Sequence, residues 1–233
     1  VPTYQTVIPS TKTMITYRPF TVKEQSMLLS ALEQDFQVTI HRIKQIINNC
    51  IVSPDNIDAD SLATFDLEFL LLQIRRVSNS EELRLRFEGH PNGCEVCSKP
   101  KNYTLDLSEV KIEVPVEKNN QIKLNEETIV VMRYPTFKEI KIIKETENED
   151  ELILKIVASC IDKVFIGNQV FNSVDATTEE IVEFVENLVL KDYKMLLDFF
   201  ETIPKLEHRI DLTCPKCGKE HFYLLQGISD FLE

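Results

Sequence analysis

Glycine is scarce in this sequence, with five among 233 residues. That leaves no Gly-rich loop of the kind that cradles phosphates in nucleotide-binding proteins. Histidine is as scarce, at four. H-E-x-x-H and G-x-S-x-G are both missing, and no His/Cys constellation stands apart from two cysteine pairs. Positive charge is in deficit, because 26 Lys and Arg face 38 Asp and Glu, for a net charge of -12. An acidic surface repels a phosphate backbone, and no Lys/Arg cluster offsets it, so no nucleic-acid partner is expected. No apolar run approaches the roughly 18 residues that a membrane span needs. The opening VPTYQTVIPSTK lacks the charged and apolar regions of a signal peptide. These absences lead to the expectation of a soluble, intracellular chain without catalytic activity, membrane partner or small-molecule substrate.

What is present is an ordinary globular composition, 43% hydrophobic and 27% charged, sufficient for one sizeable core or two small ones. Thr3 to Tyr17 is β-branched and broken by Pro9, and reads as a hairpin or an extended arm able to add a strand to a partner sheet. Thr21-x-x-Glu24 is a capping box that opens a helix through Leu28, Leu29 and Leu32. Helices follow over about 35–49 and 61–77. Leu83 to Phe87 and Tyr103 to Leu107 alternate like strands. Thr136-x-x-Glu139 is another capping box, with a helix to about Lys144 and a further one from about Asp150 to Cys160. Val164 to Phe171 reads as a hairpin turning at Gly167-Asn168. Thr177-x-x-Glu180 caps a helix, another spans about 191–200, and strands flank the second cysteine pair. The acidic run from Glu145 to Glu151 reads as a solvated loop.

The order of these landmarks suggests an internal duplication. Arg18-Pro19 ahead of Thr21-x-x-Glu24 matches Arg133-Tyr-Pro135 ahead of Thr136-x-x-Glu139. Ile46 to Ile51, containing Cys50, matches Ile156 to Ile161, containing Cys160. A strand, a C-x-x-C pair and a strand then recur at Cys94 and at Cys214. The expected fold is α+β and mostly helical: two tandem pseudo-symmetric repeats, each ending in a β-hairpin zinc knuckle, sharing one four-cysteine site. The expected segments are an arm at 1–16, a first repeat at 17–114 and a second at 115–233.

Six cysteines are too few for a disulfide framework. Four form C-x-x-C pairs, Cys94/Cys97 and Cys214/Cys217, which in a reducing compartment point to metal or redox chemistry. Two intervening residues let both sulfurs turn toward one ion, and four thiolates satisfy tetrahedral Zn²⁺. Gly218, directly after Cys217, permits the left-handed backbone of a knuckle turn. Gly93 precedes its cysteine, a looser match. Neither pair opens a helix after a βαβ strand, which argues against a thioredoxin-like couple. A structural Zn²⁺ held by Cys94, Cys97, Cys214 and Cys217 is the expectation. His90 and His221 lie near enough to substitute but are better read as neighbours. Cys50 and Cys160 read as small buried hydrophobes.

Tyr17-Arg-Pro-Phe-Thr-Val-Lys-Glu24, the leucine-rich helix after it, Ile46 to Ile51, and the helix after Asp60 ending Gln73-Ile-Arg-Arg-Val-Ser78 form a recognisable series. The chain resembles the baseplate hub protein family of T-even-type contractile-tail phages, which includes a hub structural subunit and a hub assembly factor. The similarity is densest in the first ~90 residues and brings no catalytic residues with it. It implies a virion or assembly role at the tail baseplate, after synthesis in the host cytoplasm, with other baseplate hub or wedge proteins as partners. The competing reading is a zinc-ribbon adaptor or regulator that binds nucleic acid or transcription machinery, against which the net charge weighs.

Overall fold

A computed structural model describes residues 1–32, 34, 36–54, 57–89, 93–115, 120–139, 142, 146 and 148–232. By contact the chain divides into two units. The first comprises 1–59, 65–113 and 205–233; the second comprises 60–64 and 114–204.

In the first unit, strands β1 (Tyr4–Val7) and β2 (Met14–Tyr17) form an antiparallel hairpin, and β2 also pairs with β3 (Ile51–Ser53). The opening segment is therefore a hairpin, and its strand pairing is made within the chain. Its turn is held from outside. The Ser10 N–H donates to Oδ1 of buried Asp66 at 3.0 Å, and the Ser10 hydroxyl donates to Oδ2. Helix α1 (Val22–Leu32) and helix α2 (Phe36–Cys50) follow β2. Helix α3 (Thr64–Ser78) buries Leu67, Leu70, Leu71, Leu72 and Ile74 almost completely. A helix apolar around so much of its surface belongs inside a core.

Two further hairpins complete this unit: β4 (Glu82–Phe87) with β5 (Lys101–Asp106), and β10 (Glu207–Thr213) with β11 (Glu220–Gln226). Each buries one face with period two, and β11 also leaves Phe222 and Leu224 exposed on the other. Leu83, Phe87 and Leu105 from the first hairpin cluster with Ile210 and Leu225 from the second, together with Leu72 of α3. The Phe87 and Tyr223 rings stack at 3.9 Å, and the Tyr223 hydroxyl donates to the Glu88 carbonyl at 2.6 Å.

The second unit is built on an antiparallel sheet in the order β6 (Gln121–Lys123), β7 (Thr128–Met132), β8 (Ile161–Ile166), β9 (Gln169–Asn172). Gly167 takes φ +57° at the β8–β9 turn, where a left-handed residue is required. Helices α4 (Glu149–Ser159), α5 (Thr178–Glu186) and α6 (Leu190–Glu201) pack on the sheet. Val130, Met132, Val157, Leu196 and Phe199 are central to that core. Thr177 and Glu180 make both bonds of a capping box at α5.

The expected fold needs correction. The chain is mixed α+β, about 41% helical and 27% strand, with four small sheets among the described residues, rather than mostly helical. Tandem repeats are not shown either. The second cysteine hairpin lies in the first unit with its counterpart, and the second unit is a four-stranded meander without one. What the two halves share is a local device. Arg18 pairs with Glu24 at 2.8 Å, Glu24 accepts from the Thr21 N–H, and the Arg18 N–H donates to the Cys50 carbonyl. Arg133, Glu139, Thr136 and Cys160 make the same contacts. Phe137 to Glu139 and Ile142 are helical, whereas Ile140, Lys141, Ile143 and Lys144 of the expected helix, and Glu145 and Glu147 of the acidic run, lie outside the described residues.

Candidate metal centre

The first knuckle sits in the connection between β4 and β5, and the second in the tight β10–β11 turn. They are built alike. The Ser98 N–H donates to the Cys94 carbonyl at 2.9 Å, and the Gly218 N–H donates to the Cys214 carbonyl at 2.9 Å. In each knuckle the two residues after the spacer's first position aim their N–H groups at the leading sulfur. Cys94 Sγ accepts from Cys97 and Val96, and Cys214 Sγ accepts from Cys217 and Lys216. Such bonds favour thiolate. They hold the Cys94 thiol down at about 6 and lower that of Cys214. Burial, and sharing a hydrogen with Cys94, push Cys97 up to about 11.

All four sulfurs converge within 4.8 Å of one another. Cys94 to Cys214 is 3.7 Å, Cys94 to Cys97 is 3.7 Å, and Cys97 to Cys217 is 3.8 Å. These are far beyond the roughly 2.05 Å of a disulfide, and all six cysteines are free thiols. A regular tetrahedron with sulfurs about 2.3 Å from its centre has edges of about 3.8 Å. The donor set therefore has the spacing and softness that suit Zn²⁺. Cys97 and Cys214 are buried, Cys94 is half-buried and Cys217 is exposed, so the centre faces solvent on one side. An ion pair between Lys216 and Glu95 ties the two loops together beside the sulfurs.

Gly218 adopts φ +69°, the left-handed turn its position requires. The first knuckle reaches the same hydrogen bond without a left-handed residue at Ser98. Its glycine requirement lies elsewhere. A Cβ on Gly89 would meet the Ser98 carbonyl oxygen at 2.0 Å, so only glycine lets the end of β4 pass against the knuckle. Sequence reasoning passed over Gly89 in favour of Gly93, since close approach between distant backbones leaves no local pattern. His221 stands on β11, edge-on to Tyr223, and the four-sulfur set forms without it. His90 lies outside the described residues.

The other two cysteines are fully buried and do not belong to the four-sulfur set. Desolvation pushes both Cys50 and Cys160 up to about 12.

The profile of the T4 bacteriophage base plate protein family matches residues 1–233. The baseplate hub assembly protein of Enterobacteria phage T4 is 23% identical over 224 residues, covering 94% of this chain and 93% of that protein. No solved structure matches the chain. With its whole length matched, the chain belongs to the T4 bacteriophage base plate protein family.

Proposed function

We propose that this member of the T4 bacteriophage base plate protein family is a non-catalytic protein of the baseplate hub, acting in hub assembly or as a hub component. The observation that carries the reading is the family match over all 233 residues. The similar T4 protein, whose name places it in hub assembly, favours the assembly branch. Its partners are then other hub or wedge proteins, met in the host cytoplasm and at the tail baseplate.

Within that role Zn²⁺ held by Cys94, Cys97, Cys214 and Cys217 serves as an architectural clamp. Four protein ligands complete a tetrahedron and leave no open position for a reacting water, which distinguishes a structural from a catalytic zinc. When bound, the ion fixes the β4–β5 and β10–β11 hairpins to each other at their turn ends. The protein's own part is to present two thiolates already favoured by backbone N–H groups and two more from the same pairs.

Mass spectrometry of purified tails, and of hub intermediates accumulated by blocking a later assembly step, tests the role. The chain is expected in hub intermediates. Its absence from both intermediates and particles, with normal hubs formed without it, overturns the proposal.

A further inference from the structure

The second unit carries an apolar groove that the metal centre does not explain. It runs between α4 and the α5–α6 corner, with a volume of about 680 Å³. Leu154, Val185 and Leu197 line its floor. Its lip is formed by Leu190, which is 81% exposed, with Val189 beside it at 64%. Leu188-Val189-Leu190 is a run of three apolar residues at a surface corner, where turns are normally polar. Val189 is the N-cap of α6 and makes no side-chain cap bond. Ser, Thr, Asp or Asn there would satisfy an orphan N–H, so local stability does not account for this choice.

The charged residues lining the groove are all acidic: Asp150, Glu151 and Glu186. Glu151 is paired with Lys155 at 2.6 Å. Asp150 and Glu186 are exposed and have no cationic partner among the described residues. An apolar trough between helices with an acidic rim has the complement of an amphipathic helix whose apolar stripe is flanked by Lys or Arg.

We propose that this groove is a docking site for a basic amphipathic helix of a partner protein. The apolar stripe fills the trough against Leu154 and Leu197, Leu190 closes over it, and the flanking cations meet Asp150 and Glu186. The inference stands on the groove's own chemistry, so its failure leaves the family-based role and the zinc clamp untouched.

Two synthetic helical peptides of about 16 residues test it, each with leucines at i, i+3/i+4 and i+7. One carries lysine and arginine on the flanks and the other glutamate, and both are titrated onto the full chain by fluorescence anisotropy. The basic peptide is expected to bind at least tenfold more tightly, and to weaken as salt rises. Leu190→Ser is expected to lose at least fivefold in affinity. Asp150→Lys with Glu186→Lys is expected to reverse the preference between the peptides. These exposed substitutions leave the core intact, and an unchanged melting curve checks that. Equal binding of the two peptides, no binding, or an unaffected Leu190→Ser overturns the proposal. So does concentration-dependent self-association abolished by Leu190→Ser, which would make the occupant a second copy.

Discussion

Cys94 Sγ lies 3.7 Å from Cys214 Sγ although 120 residues separate them in the chain. The contact joins two knuckles whose own bonds are local, so the relation between the hairpins at that end rests on the sulfurs, the Lys216–Glu95 pair, the stacked rings of Phe87 and Tyr223 and the Tyr223–Glu88 hydrogen bond.

If the sulfurs hold Zn²⁺, the purified chain carries one ion. Cys214→Ser or exhaustive chelation then costs about 3 kcal/mol or more, below the roughly 10 kcal/mol of isolated finger peptides, because the apolar core remains. For a chain of this size that is a fall of about 6–12 °C in melting temperature. Elemental analysis and calorimetry on the same sample check it. Identical melting of the metal-loaded and stripped chain removes the clamp.

Gly89→Ala drives a methyl group into the Ser98 carbonyl. The knuckle must shift, at a cost of about 3 kcal/mol, and zinc retention should fall with it. Gly167→Ala is the control. Open space surrounds that position, so only its positive φ is strained, at about 1–2 kcal/mol. Zinc content should not change. Equal zinc retention in both variants contradicts the close approach.

The Arg18 guanidinium beside Glu24, aided by the Thr21 N–H and hydroxyl, holds its carboxyl at about 2. A folded-state value below the unfolded one of about 4.3 stabilises the protein above that pH. The contribution fades as pH falls through the interval from about 4 to about 2. Glu24→Gln should therefore cost about 1–2 kcal/mol at pH 7, less than the full shift because solvent screens the pair, and progressively less on acidification. Denaturant titrations of both proteins at pH 7 and pH 3 measure this. A difference that is flat with pH rules out the linkage.

Cys50 and Cys160 are fully buried, and their thiols are pushed up to about 12. Thiolate is the reactive form. Neither should be alkylated by iodoacetamide at pH 7.5 until the fold opens, whereas denaturant exposes both. Peptide mapping before and after unfolding reads this, and rapid labelling of either in the folded chain contradicts the burial.

The two C-x-x-C knuckles, the Thr21 and Thr177 capping boxes and the Gly167 hairpin were legible because each depends on residues a few positions apart. The same holds for the long helices, whose periodicity is written along one segment. β3 and β6 were not legible. Three residues carry too little alternation, and such strands exist only through their partners. Counting periodic helices while missing short strands made the chain look mostly helical. The duplication arose from real likeness, since Arg18 with Glu24 and Arg133 with Glu139 are the same device. Order along the chain does not reveal which core a hairpin joins. Leu206, Ile210 and Leu225 bury against Leu72, Leu83 and Leu105, and that choice is made by packing.

If the four sulfurs hold an ion, the split between the two pairs also gives the protein a clock. During translation Cys94 and Cys97 emerge early, then residues 114–204, a unit of their own, are made before Cys214 appears. At about 5–20 residues per second the first pair waits roughly 6–24 s for the second. A chain interrupted anywhere in that interval has only two thiolates to offer an ion. Capture of such an ion waits until both hairpins have been made, and a partner that recognises the clamped hairpins would not accept a chain that stops between them.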